Sequence, residues 1–216
     1  MKEIKPFDFK RIEDFDRHIE LSIPNYQTLN NIFTWIATEF SQSEGLVVDL
    51  GCSTGRFLSS LPKAEGCEYL GIDKVKMETH DGFSFIEGDC EEELDNLKDI
   101  SVIVSMFFLQ FLGEYKRRRI LKQIKSYIND GCVFLVAEKV YLNDTRLQTL
   151  IHRMHVQSKR NNFTDEEILN KDQQLSISMF CKKEKDLENE LKELGDITKV
   201  WQSYNFLAYV VQKNNE

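Results

Sequence analysis

A chain of 216 residues with 41% hydrophobic content can bury one substantial core, so a single domain spanning 1–216 and carrying an insertion is expected. The formal net charge of −8 argues against broad attraction to nucleic acid or anionic lipid, leaves only a local basic patch for such contacts, and favours small-molecule chemistry. Cys52, Cys67, Cys90, Cys132 and Cys181 are odd in number and lack C-x-x-C spacing, and no apolar run is long enough for a membrane span, so a reduced, cytoplasmic protein is expected.

In chain order, residues 1–6 are charged and precede no apolar run, which does not suit a targeting segment. Ile32, Phe33, Ile36 and Phe40, widened by Trp35 and Ala37, predict an amphipathic helix over 30–40. Val47, Val48, Asp49 and Leu50 then form a strand that runs into Gly51, and Gly55 closes the turn before Arg56, Phe57 and Leu58 open a helix. The spacing is D-x-G-x-x-x-G, with Ser53 where a dinucleotide-binding turn carries a middle glycine against the pyrophosphate. A cofactor without phosphates suits it better, and S-adenosylmethionine (SAM) is the candidate. An ordinary strand-to-helix turn is the competing interpretation.

Further strands are expected at 69–72, 83–86, 100–106 and 132–138, alternating with helix-capable segments. That alternation predicts a doubly wound α/β fold with a largely parallel sheet. Asp73 and Asp89 end the second and third strands. One is placed to accept hydrogen bonds from a ribose diol, the other to meet an adenine amino group, since ligands of such sheets lie beyond the carboxyl ends of the strands. Ile120, Leu121, Ile124, Tyr127 and Ile128 predict a helix ending before Gly131. At its start, Lys116, Arg117, Arg118 and Arg119 suit a solvated face better than a nucleic-acid contact. From about 143 to 195 the sequence is charged and helix-forming, which predicts an inserted helical layer over the strand ends. Segments 198–201 and 206–212 read as a closing hairpin.

A set of short segments gives a sharper signal: Ser22 to Tyr26, Asp49 to Ser53, Leu109 to Leu112, Glu138 and Lys139, Met154 and His155 with Lys159 and Arg160, and Trp201 with Asn205 and Phe206. Over nearly the whole chain these resemble the carboxy-S-adenosylmethionine synthase family, also a tRNA uridine-5-oxyacetate methyltransferase family, within the Class I SAM-dependent methyltransferases. The resemblance implies a Rossmann-like, seven-stranded sheet with antiparallel last strands. It also implies SAM as cofactor and a connection to tRNA modification. The implied cofactor contacts are Tyr26, the turn of Gly51, Cys52 and Ser53, then Asp73 and Asp89. Asp49, Gly55, Lys74, Cys90 and Met106, the last replacing a family asparagine, complete the expected set.

One position departs more seriously. Where the family clamps an extra cofactor carboxylate with arginine, alignment places Asp172, and an aspartate there would repel that group. The expectation is therefore plain SAM and methyl transfer to an unidentified, small-molecule acceptor. The family's own synthase reaction and a non-catalytic SAM-binding or partner-binding module are the alternatives. His155 and Tyr26 are the candidate catalytic residues, with His152 and Glu138 behind them. His152 and His155 lie three apart without a third ligand in view, so no metal is expected. Trp201, Phe107 and Phe108 read as core or pocket wall, and Tyr204 as either core or acceptor-site lining. A homodimer is left open.

Overall fold

The computed structural model describes residues 7, 12–41, 45–63, 65–77 and 80–214, so the charged start at 1–6 lies outside the described residues. The strands are β1 (Leu46–Leu50), β2 (Glu68–Asp73), β3 (Ser84–Glu87), β4 (Ile100–Met106), β5 (Val133–Lys139), β6 (Asp196–Ser203) and β7 (Phe206–Gln212). They form one seven-stranded sheet in the order β3-β2-β1-β4-β5-β7-β6. The first five run parallel; β7 is antiparallel to β5, and β6 to β7. The strand order reverses between β1 and β4, the place where such sheets open a crevice at the strands' carboxyl ends.

Central strands covered on both faces need continuous apolar sequence, and β4 and β5 supply it. Ile103, Phe134 and Val136 point into a core shared with α5 (Glu114–Asn129), which offers Ile120 and Ile124. Val102, Val104 and Leu135 face the opposite core, covered by Leu29, Phe33 and Ala37 of α2 (Tyr26–Phe40). Helix α2 thus begins earlier than its apolar repeat suggests, directly after Asn25. Ahead of it lies a helix not anticipated, α1 (Phe15–Ser22), capped by Asp14, whose carboxylate accepts the Arg17 amide at 2.9 Å. The helix after the glycine turn, α3 (Arg56–Ser59), is a single turn, and α4 (Cys90–Leu94) follows β3.

The 143–195 segment holds α6 (Thr145–Lys159), α7 (Asp165–Ser176) and α8 (Glu184–Lys192). Only the first two cover the strand ends, because Leu187 and Leu191 return α8 to the core beside α5.

Arg117 explains that return and corrects the solvated-face expectation for one member of its basic run, whose Arg118 and Arg119 are exposed. Arg117 itself is 2% exposed, and donates to both carboxylate oxygens of Glu138 at 2.9 and 2.6 Å and to Glu190 of α8 at 2.6 Å. Its neighbours are paired as well: Lys116 with Asp89, Arg118 with Glu114, and Arg119 with Glu91. Glu138, 1% exposed, is therefore a structural counter-ion and no candidate base. Burial raises its pKa and Arg117 pulls it back. No helix among the described residues is long and apolar enough to cross a membrane.

Candidate functional site

A pocket of about 430 Å³ opens at the carboxyl ends of β1, β2, β4 and β5, roofed by α1 and walled on its far side by α6 and α7. Its position follows from the strand order. Two of its lining residues, Ser53 and Phe107, hold positive φ without being glycine (53° and 59°), a conformation that costs on the order of 1–3 kcal/mol and gathers at functional sites. The Phe107 amide donates to Ala137 O at 2.7 Å, and its ring packs against Tyr26 and Phe206.

The near half of the pocket carries Tyr26, Asp49, Gly51, Cys52, Ser53 and Asp73, with Lys74 and Met106 on the same walls. Strand pairing continues into the turn, where the amides of Gly51 and Cys52 donate to Ile72 O. Asp73 accepts the Ser53 amide at 2.9 Å and the Val75 amide at 3.1 Å, so its carboxylate is held in place with acceptor capacity to spare. Asp49, 4% exposed, makes no hydrogen bond with its side chain among the described residues. Burial and nearby Asp73 push its pKa well up.

These residues fit SAM: an orphaned buried acid suits a cationic amino acid moiety, Asp73 a ribose diol, and the walls of Phe107, Phe108 and Met77 an adenine. The one-turn α3 adds little helix dipole, so side chains and turn amides carry the holding.

Three expected contacts fall outside this pocket. A Cβ on Gly55 would lie 1.9 Å from the Phe83 ring, which occupies the space beside that glycine. Asp89 caps α4 through the Glu91 amide and pairs with Lys74 at 2.8 Å and Lys116 at 2.6 Å. Burial works against its charge, but Lys116 and Lys74 prevail and hold its carboxyl down at about 2. The Cys90 thiol turns to Ile72 O at 3.6 Å, and burial pushes it up to about 12. All three lie outside the pocket wall.

The far half is basic. Lys139 at the end of β5, Lys159 at the end of α6 and Lys171 on α7 all line it, and none has a carboxylate partner among the described residues. Burial, then Lys139, lowers the Lys159 pKa to about 8. Lys171 is lowered to about 7 by burial, with Lys159 and Lys139 adding. Asp172 is exposed and does not line the pocket, because the next residue along a helix points away from its neighbour. The expected repulsion of a carboxylate at this end is thereby corrected: lysine meets the ligand there, and Asp172 meets solvent.

His155 lies in the pocket wall and is 2% exposed; its Nε2 donates to Ser22 O at 3.0 Å, and its ring packs on Tyr204 and Phe206. Burial, then Lys159, lowers its pKa to about 3, so it stays neutral and braces the wall. His152 is exposed on the same helix, so the two do not converge as a metal pair. Tyr26 has its pKa raised by burial and by Asp49, which leaves a phenol and no base. Trp201 is core.

Sequence reasoning missed α1, which brings Phe15, Asp16 and Ile19 to the roof. The signal was present in Asp14 followed by Phe15, Ile19 and Ile23 at fourfold spacing.

A methyltransferase-domain profile matches residues 25–182. The chain belongs to the SAM-dependent methyltransferases. Within that family it is 30% identical, over 97% of its own length and 85% of the relative's, to carboxy-S-adenosyl-L-methionine synthase of Yersinia pestis (strain Pestoides F), and equally to that of Yersinia pseudotuberculosis serotype O:3 (strain YPIII). Among solved structures, a SAM-dependent methyltransferase from Archaeoglobus fulgidus superposes with a TM-score of 0.58 at 16% identity, covering 93% of this chain and 100% of that one. Human N-acetylserotonin methyltransferase in complex with SAM gives 0.50 at 17%, covering 88% and 55%. Those identities speak to the fold alone, the Class I α/β sheet. SAM is the cofactor of this family, and it fits the near half of the pocket.

Proposed function

We propose that this methyltransferase acts on a small molecule carrying a negative group, held at the far end of the pocket. The observation that carries this is the trio Lys139, Lys159 and Lys171, which lines that end without a carboxylate partner among the described residues. Desolvated ammonium groups lacking counter-ions, Lys139 and Lys159 above all, are costly, and an anionic ligand relieves that cost. Bound SAM supplies the activated methyl group. The residues then position the two partners: Asp49 and Asp73 fix the cofactor half, Phe107 and Phe206 exclude water, and the lysines orient the acceptor. Tyr26, Asp49, Gly51, Cys52, Ser53, Asp73, Lys74 and Met106 are the proposed cofactor contacts.

The test is mass spectrometry of the co-purifying cofactor together with an untargeted methyl-acceptor assay on small carboxylic and phosphorylated metabolites. Transfer to an anionic product, weakened in Lys159→Gln, is the expected result. Transfer confined to neutral or macromolecular acceptors defeats the proposal.

A second reading is favoured by the relatives. Lysines at the far end could receive the extra carboxylate of carboxy-SAM, so the synthase reaction, with its link to tRNA modification, is the competing proposal. Recovery of carboxy-SAM from the purified protein would decide for it.

A further inference from the structure

Lys171 Nζ donates to Ser22 Oγ at 2.8 Å and is hydrogen-bonded to His18 Nε2, both on α1; with the His18 proton on Nδ1, the lysine is the donor there too. A neutral amine has two hydrogens and one lone pair. With the hydrogens given to those acceptors, the lone pair is left for the pocket that Lys171 lines. His18 can accept only while neutral, and burial, followed by Lys171 and Lys159, keeps it so by lowering its pKa to about 4. The other candidates are spent: Tyr26 remains a phenol, His155 donates to Ser22 O, and Glu138 is locked to Arg117.

We propose that Lys171 is the general base of the transfer, taking the proton of an O–H or N–H on the acceptor while Lys139 and Lys159 hold the acceptor's negative group. The assignment rests on the anionic small-molecule acceptor proposed above. The proton leaves as the Lys171 ammonium, the acceptor's electron pair takes the methyl group, and the bonding pair of the broken carbon–sulfur bond stays on sulfur. The ammonium then returns its proton to solvent.

The charged and titratable groups around Lys171 favour the neutral amine. Lys159 and His155 face the pocket from α6 and Lys139 from β5, while His18 meets Lys171 from α1 behind the pocket wall, all cationic or neutral. Asp172, the nearest acid on its own helix, is exposed and acts instead on Lys159.

The test needs no knowledge of the natural acceptor. The protein loaded with S-adenosylhomocysteine is titrated with 3-chloro-4-hydroxybenzoate near pH 7.5, a probe with a carboxylate for the lysines and a weakly acidic phenol. Ultraviolet difference absorption reads phenolate formation, and calorimetry in two buffers of different ionisation heat reads protons released to the medium. In the wild type the phenol is expected to ionise on binding with almost no proton released, because Lys171 keeps it. In Lys171→Arg, which carries a permanent charge and cannot accept a proton, any phenolate should appear with about one proton released per probe.

A second measurement is pulsed acetic anhydride labelling with peptide mass spectrometry. It should show Lys171 reacting from pH values well below those at which exposed Lys125 reacts. Binding with the phenol intact, equal proton release in both proteins, or Lys171 labelling in step with Lys125 overturns the base assignment and leaves the anionic-acceptor reading standing. A wild-type protein that does not bind the probe removes that reading, and the base assignment with it.

Discussion

Gly51 has a φ of +71°, and a Cβ built on it would lie 2.4 Å from the Phe108 ring. The glycine is required by the protein's own packing as well as by its turn, whatever ligand is bound. Gly51→Val is expected to abolish SAM binding and to lower the thermal midpoint together, read by calorimetry and by thermal unfolding of the same sample. A variant of wild-type stability that merely loses SAM would show that the ligand alone needs the space.

Asp73 already holds the turn through Ser53 and Val75, so Asp73→Asn tests the diol contact more cleanly than alanine does. Loss of a charge-assisted acceptor should weaken S-adenosylhomocysteine by about 1.5–3 kcal/mol in a titration. Asp172, exposed to solvent, gives the opposite expectation: Asp172→Ala should leave cofactor affinity within about twofold, and a large loss would place it back in the pocket.

Among the elements, α8 depends on one buried guanidinium. Arg117 joins α5, β5 and α8 through Glu138 and Glu190, and its removal would strand a carboxylate that is 1% exposed. Arg117→Met should cost about 3–5 kcal/mol in denaturant unfolding, and adding Glu138→Gln should recover part of it because no charge is then left unpaired.

The roof helix α1 is tied down at Asp16, whose carboxylate accepts Thr54 Oγ1 and pairs with His80 Nε2, each at 2.7 Å. Arg56 adds a bond to Asp16 O and an ion pair with Glu20. With the two bonds of the Asp16 carboxylate gone and only the Arg56 ties left at this point, α1 should open locally more often while the sheet stays folded. Asp16→Ala is therefore expected to speed SAM dissociation in stopped-flow and to raise hydrogen exchange in residues 15–22, with little change in global unfolding.

For the whole molecule, the basic end of the pocket opposes folding at neutral pH. Lys171 and Lys159 have folded pKa values of about 7 and about 8, below the ordinary 10.5. Between those values and 10.5 the unfolded chain binds more protons, so these two groups make stability rise with pH across that window, and their penalty is complete below about 7. The difference in unfolding free energy between wild type and Lys171→Met should follow this slope from about pH 7 upward. A difference independent of pH would mean that Lys171 is solvated and ordinary.

Much of the protein was fixed by local sequence. The strands β1, β4, β5 and β7 are short apolar runs rich in valine, isoleucine and aromatics, which favour buried strands, and the Gly51 turn closes directly after β1. Those features are set by the pleat, the helical period and the φ of glycine, each readable a few residues at a time. Tertiary structure decided what long-range contact alone can set.

Arg117 reads as one cation in a solvated run until Glu138 and Glu190, distant in sequence, meet it. Asp89 reads as an adenine ligand until Lys74 and Lys116 take its charge. Lys171 and Asp172 are adjacent letters whose surroundings depend on which face of α7 turns inward, and the hydrogen bonds of Lys171 to α1 go with the lysine lining the pocket and the aspartate exposed. Charge is written in the sequence, but its partner and its solvation are properties of the folded chain.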